Sequence, residues 1–295
     1  MDPKEFTERF ENWRLQIEKE IDHRVPSADT EPTKLHSAMR HSLEAGGKRL
    51  RPVLVCAVAE AFSSKSNPLP AAAAIECLHT YTLIHDDLPA MDDSDLRRGR
   101  PTCHKAFGEA AAILAGDGLL TLTFQILGEG YPTDPALANN LVVDLATASG
   151  SLWLVGGQMD DIDNEGIPLD VPTLSSINRR KTGALIAAAC IMGARIGGAS
   201  AEQVETVRQF GVCLGEAFQV IDDILDFTAT EEQTGKSSGR DEANGKVTLA
   251  TLEGLDAARK RAEELTQQAD HLLSQFSANT DFLSALVRWM ADRSN

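Results

Sequence analysis

Apolar side chains recur at steps of three and four along most of the chain. The cleanest stretch is 201–227, where Val207, Phe210, Leu214, Phe218, Ile221 and Leu225 form one stripe, as the buried face of a helix requires. The segment 69–87, LPAAAAIECLHTYTLIHDD, starts beside a proline and contains no internal breaker, so it reads as a second long helix. Further helices are expected over 109–128, 135–155, 172–196, 255–275 and 279–292. Breakers cluster at 63–70, 88–101, 129–135, 163–172 and 228–246, which read as connections. No Asn-Gly turn flanked by alternating β-branched residues is present, so hairpins are not expected. The pattern predicts an all-α fold in a single domain over 1–295.

Composition agrees. Hydrophobic residues make up 42% of the chain but aromatics only 5%, with Ala and Leu dominant, a mix that favours helices over strands. A formal net charge of −16 argues against nucleic-acid binding. Small anions remain possible ligands, because a bound metal or a local basic cluster inverts the field. The five cysteines, Cys56, Cys77, Cys103, Cys190 and Cys213, form no C-x-x-C pair, which excludes a zinc ribbon and fits a reducing compartment. The charged start, MDPKEFTERFENW, has no apolar signal region, and no apolar run is read as long enough to span a bilayer. A cytoplasmic protein without stable membrane insertion is expected.

Two acidic clusters break this bland picture. In VIDDILDF at 220–227, Asp222, Asp223 and Asp226 share with Gln219 a helical arc of roughly 100° beside the apolar stripe. Carboxylates 4 Å apart repel by about 4 kcal/mol at an effective dielectric of 20, so three on one face call for a divalent cation. Mg²⁺ fits, since it takes one or two carboxylates and completes its shell with water and substrate phosphates. A solvated acidic face is the alternative, but Phe218, Ile221, Ile224 and Leu225 surround these acids. The second cluster, IHDDLPAMDD at 84–93, carries Asp86, Asp87, Asp92 and Asp93, with Asp95 just beyond. Pro89 ends the helix there, so Asp92 returns towards Asp86 only through an irregular turn. Capping and turn chemistry explain one or two acids, not five in ten residues. Basic knots lie nearby, Gly46-Gly47-Lys48-Arg49-Leu50-Arg51 and Arg97-Arg98-Gly99-Arg100. Their presence implies a division of labour, in which metal on Asp takes one diphosphate and Arg or Lys takes another directly. Ordinary surface pairing is the competing reading.

Other signals are weaker. Gly235-Lys236-Ser237 and Gly245-Lys246-Val247 lack the first glycine of a P-loop. His85 has no paired metal-ligand spacing and reads as a packed, hydrogen-bonded histidine. Gly211 and Gly215 read as close helix packing, and Cys103 and Cys213 as core thiols.

In order and spacing, the motifs over about 46–248 closely resemble those of the trans-isoprenyl diphosphate synthases. The stretches are GGKRLRP at 46–52, ECLHTYTLIHDDLPAMDDSDLRRGRPTCH at 76–104, ILAGDGLL at 113–120, GGQMDD at 156–161, RKTGALI at 180–186, FQVIDDILDF at 218–227, and the glycine-lysine pairs ending at Lys236 and Lys246. The resemblance implies a helical bundle of the isoprenoid synthase type with a deep central cavity, the two Asp motifs facing each other across it, and a homodimer. It implies metal binding by Asp86, Asp87, Asp92, Asp222, Asp223 and Asp226, with three Mg²⁺ ions once substrate is bound. The implied catalytic set is Asp86, Asp87, Asp92, Lys181 and Asp222. Lys48, Arg51, His79 and Arg98 match positions that bind isopentenyl diphosphate. Arg97, Lys181, Thr182, Gln219, Lys236 and Lys246 match those touching the allylic diphosphate. Gln158 and Asp161 match the signature beside the metal cavity. The implied chemistry is ionisation, condensation and elimination, with no side-chain nucleophile.

The first motif, DDLPAMD, is like that of bacterial farnesyl diphosphate synthases, which implies a C15 product. Tyr81 and Thr82 then set chain length, Tyr81 lying about 7.5 Å below Asp86 along the helix. The helical wheel instead puts Thr82 and His79 near the face of Asp86 and Tyr81 roughly 140° away. A geranylgeranyl diphosphate synthase is the alternative; a class I terpene cyclase or a non-catalytic regulatory subunit is further off. Three positions depart from the family pattern: Ser94, Ile221 and the run Val247-Thr248-Leu249-Ala250 after Lys246.

Overall fold

The structure, a computed structural model, describes residues 1–64, 66–228, 247–276 and 278–292. It is helical almost throughout and divides into two compact units. One comprises 10–56 and 67–142; the other comprises 1–9, 57–66 and 143–295.

The first unit is built around α4 (Leu69–Asp86) and α6 (Glu109–Gly130), packed against each other. Pro70 begins α4 at a position where its missing N–H costs nothing. Ala71, Ala72, Ala73 and Ala74 are completely buried, so α4 is a core helix apolar on nearly every side. Its half-buried positions are few: Leu69, His79, Thr82, Leu83, His85 and Asp86. Helices α1 (Pro3–Arg24), α2 (Thr33–Leu43) and α3 (Leu50–Ala61) precede it, and the short α5 (Cys103–Phe107) follows. By length and composition α6 could cross a membrane, a 22-residue apolar helix, contrary to the expectation that none exists. Asp117 and the polar residues around it hide the run from a simple reading of the sequence. Its inner face packs as a core: Thr123 donates to the Ala74 carbonyl at 3.2 Å, and Gly116 leaves room for the His85 ring.

The second unit stacks α10 (Ala184–Ile196) on α11 (Ala201–Thr228), with α13 (Leu255–Ser274) against α11 and α14 (Asp281–Ala291) against α13. The expected stripe is real at Val207, Phe210, Leu214 and Ile221, while Phe218 and Leu225 are half-buried. Gly211 and Gly215 let α11 touch the backbone of its neighbour, as expected. Where the periodicity predicts a single helix over 172–196, the chain forms α9 (Val171–Asn178), a π-helical turn (Arg179–Gly183) and α10. Where it predicts one over 135–155, the chain forms α7 (Pro135–Ser149), a break at Gly150, and α8 (Leu154–Asp163). The departure after Lys246 has a local reason: Thr248 and Thr251 cap each other reciprocally and start α12 (Leu249–Glu253).

Candidate active site

At the end of α4 the chain folds back on itself. The Asp92 amide donates to the Asp86 carbonyl at 2.9 Å, Asp93 to Leu88 at 3.1 Å, and Ser94 to Asp87 at 3.2 Å. This is the irregular turn that Pro89 forces, and it returns Asp92 to Asp86. Asp86 is half-buried and Asp92 exposed. Asp87 is different: it is 2% exposed, and Arg97 grips both its oxygens, Nε at 3.0 and 2.8 Å and Nη2 at 2.7 Å.

Arg97 is aimed by a hairpin that hydrophobic periodicity misses. Strands β1 (Leu96–Arg97) and β2 (Arg100–Pro101) pair antiparallel. Arg98 and Gly99 turn between them with φ of 53° and 74°, the double positive φ of a type I′ turn. The buried Ser94 helps close its base, its carbonyl accepting from the Thr102 hydroxyl at 2.8 Å. Arg98 reaches back to the loop at 46–49, donating to the Gly46 carbonyl. A Cβ on Gly47 would stand 2.5 Å from its guanidinium, and Gly47 has a φ of 128°, a conformation that favours glycine.

Arg51 completes the cationic group, its Nη1 lying 3.3 Å from His79 Nε2. Burial holds the His79 pKa well below the usual histidine value, and Arg51, Arg98, Arg97 and Arg49 push it the same way. The imidazole is therefore neutral among cations. Lys48 is exposed on the adjoining loop. Its neighbour Arg49 has no place in the predicted site, yet it anchors that loop. Its side chain is 1% exposed and binds Glu76 at 2.7 Å, Glu18 at 2.8 Å and the Leu43 carbonyl at 2.6 Å. The sequence signal for this is a glutamate, Glu76, inside the apolar run at 69–78.

On α11 the second acidic motif splits in the same way as the first. Asp222 is exposed, whereas Asp223 is 4% exposed and accepts from the Gln219 amide at 2.9 Å. The 100° arc thus has a wet end and a dry end. Asp223 and Gln219 line a cleft with Asn178, Glu216 and Arg261. Asp226 lies on α11, while Lys236 and Lys246 lie outside the described residues. In the same unit Lys181 donates to Asp161 at 2.6 Å, with Thr182 half-buried beside it. Gln158 is buried, and neither amide atom has a hydrogen-bond partner among the described residues.

The chain-length candidates are separated. Tyr81 is buried and stands edge-on to His85, ring centroids 5.4 Å apart. His85 in turn bonds the Ile113 carbonyl at 3.1 Å. Thr82 is half-buried with its hydroxyl on the His79 carbonyl at 2.7 Å. His79, Thr82 and Asp86 share one face of α4, as the wheel predicts. Cys103 and Cys213 are buried, and burial pushes each thiol up to about 11, so neither is a nucleophile at neutral pH.

These residues fit magnesium. Asp86 and Asp92 are hard oxygen donors brought together by one turn, and in the other unit Asp222 is an accessible carboxylate. Among the described residues no three His, Cys, Asp or Glu side chains close into a cage. Mg²⁺ needs none, because water and phosphate oxygens fill most of its shell. Gln158 adds a buried amide without a hydrogen-bond partner among the described residues.

An all-α protein with paired aspartates and a separate cationic cluster is built to handle diphosphates. The polyprenyl synthetase family model matches residues 32–286, and the chain belongs to that family. It is a prenyltransferase of the all-α isoprenoid synthase fold. The farnesyl diphosphate synthase of Bacillus subtilis is 43% identical over 266 residues, covering 89% of this chain and 90% of that protein. The large subunit 1 of the heterodimeric chloroplast geranylgeranyl pyrophosphate synthase of Arabidopsis thaliana is 44% identical over 287 residues, covering 95% and 77%. The crystal structure of an FPP/GFPP synthase from Zymomonas mobilis superposes with a TM-score of 0.86 at 36% identity, covering 97% of this chain and 99% of that one.

Proposed function

We propose that this chain is a farnesyl diphosphate synthase. It condenses isopentenyl diphosphate with dimethylallyl and then geranyl diphosphate and stops at C15. The observation that carries the condensation is the seam at Asp87–Arg97. It joins an accessible carboxylate turn, Asp86 and Asp92, to a cationic group of Arg51 and Arg98 beside neutral His79. One diphosphate needs metal and the other needs cations, and both demands meet in one unit.

Asp86, Asp92 and Asp222 are the proposed magnesium ligands. Asp87 and Asp223 act through the partners they hold, Arg97 and Gln219. Bound Mg²⁺ supplies charge neutralisation on the departing diphosphate. Lys181 with Thr182 orients the allylic diphosphate, and Arg97 adds charge beside it. Arg51, neutral His79, Arg98 and Lys48 hold isopentenyl diphosphate, so its double bond meets the allylic cation in a site that excludes water. The proton lost at the end passes to the released diphosphate, so no side-chain base is needed.

The C15 limit rests on Tyr81, a buried aromatic one and a half turns before Asp86. Its removal opens space beside the growing chain, so Tyr81→Ala should shift product from C15 towards C20. The assay is chain-length analysis of product from isopentenyl and dimethylallyl diphosphates with Mg²⁺. Accumulation of C20 by the unaltered protein would make it a geranylgeranyl synthase instead. Exposed Ile113 and Leu114 on α6 support the reading as a homodimer, which light scattering tests. Five free thiols support a cytoplasmic location, which cell fractionation tests.

A further inference from the structure

The π-helical turn Arg179–Gly183 carries Lys181 and Thr182. Such a turn inserts one residue into a helix and re-aims the side chains around it, and it is found disproportionately at functional sites. Here it is gripped by both helices packed on it. A Cβ on Gly157 of α8 would stand 2.5 Å from the Lys181 amide nitrogen and 2.9 Å from the Arg180 carbonyl carbon. A Cβ on Gly215 of α11 would stand 2.7 Å from the Gly183 Cα. All of these are backbone atoms, which cannot swing aside as a flexible side chain does. Two ion pairs tie the same turn to α8, Arg180 to Asp160 and Lys181 to Asp161. Gln158, next to Gly157 on α8, is buried with its amide unpartnered among the described residues.

We propose that Gly157 and Gly215 are positioning residues for Lys181, clamping the π-turn from two helices so that its ammonium is presented to the allylic diphosphate. This rests on Lys181 being a contact of that substrate. A methyl group at either position displaces the turn and carries Lys181 with it. A misplacement of about 1 Å costs up to roughly a hundredfold in rate. Gly211 supplies the comparison. A Cβ there would stand 2.7 Å from the Ala187 Cα, an equally tight helix contact, one turn back along α11 and away from Lys181.

The experiment compares Gly157→Ala, Gly215→Ala and Gly211→Ala by melting temperature, by the KM of geranyl and isopentenyl diphosphates, and by calorimetric binding of inorganic diphosphate with Mg²⁺. All three should melt earlier. Gly157→Ala and Gly215→Ala should raise the allylic KM by roughly tenfold or more, leave the isopentenyl KM within about twofold, and weaken diphosphate binding as Lys181→Ala does. Gly211→Ala should leave both KM values and the binding unchanged. If Gly157→Ala does not fold, Asp160→Asn, which loosens Arg180 without adding volume, should show the same split. Three variants behaving alike, or both KM values moving together, would overturn the proposal. Diphosphate binding that Lys181→Ala leaves unaffected would refute it alone. Absence of any diphosphate binding would sink the functional reading with it.

Discussion

Asp86 and Asp87 are adjacent in sequence but should fail in different ways when each loses its charge. Asp87→Asn keeps the shape of the side chain and removes the anion from a group 2% exposed and gripped by Arg97 through contacts of 2.7–3.0 Å. One amide oxygen still accepts, but the amide NH₂ then faces a guanidinium. Hydrogen bonds to charged groups contribute about 1.5–3 kcal/mol, so a loss of about 2 kcal/mol of folding stability is expected. That is a fall in Tm of roughly 4–8 °C by the scaling for domains of 150–250 residues. Asp86→Asn should cost far less stability, because Asp86 is only half-buried. Its effect should appear in the Mg²⁺ concentration giving half-maximal rate. A lost ligand worth about 1.4 kcal/mol raises that concentration tenfold. The assay is a melt without metal, paired with an Mg²⁺ titration of initial rate at saturating substrates. Asp87→Asn shifting the Mg²⁺ requirement as far as Asp86→Asn, with unchanged Tm, would refute the division into ligand and held carboxylate.

Arg49→Ala should be more damaging still. It strands Glu76, whose side chain is 3% exposed, and breaking a buried pair from one side costs about 3–5 kcal/mol. Urea unfolding measures it, and a loss under about 1 kcal/mol would mean that Glu76 is not held as a buried anion. His79 gives a pH prediction of definite sign. Its folded pKa lies well below 6.5, so below pH 6.5 the unfolded chain takes up a proton that the folded chain refuses. Stability should fall as pH drops below 6.5 and gain nothing from this group above it. His79→Gln should therefore narrow the gap in urea midpoint between pH 7.5 and 5.5, about one unit either side of the ordinary histidine pKa. An unchanged gap would show that His79 titrates normally.

Much of this is legible in sequence, and where it is not the cause is physical. Helix α11 shows itself because one-sided burial imposes the 3.6-residue period, and α4 and α6 because they are long apolar runs. The hairpin at Arg97–Arg100 does not, because it is too short for alternation to build up and turns on Arg98 at positive φ rather than on Asn-Gly. The π-turn is hidden because α10 is buried on almost every side, so no stripe remains whose phase could jump. Arg49 is hidden because a charged residue in a basic knot reads as exposed until its two glutamates, distant in sequence, are brought to it.

The aspartate pairs carry the same lesson further. Neighbours on a helix lie 100° apart, so two consecutive acids meet different surroundings. In each motif the first acid looks outward and the second turns in, Asp87 to Arg97 and Asp223 to Gln219. The inward partner in each case comes from the acid's own unit. On the proposed function, the repeated DD would be two devices in series: an accessible oxygen for the cation, and a buried oxygen that holds a neighbouring side chain. A motif of single aspartates with the same spacing would keep the first device and lose the second. The cost should then appear in substrate affinity and stability before it appears in metal requirement.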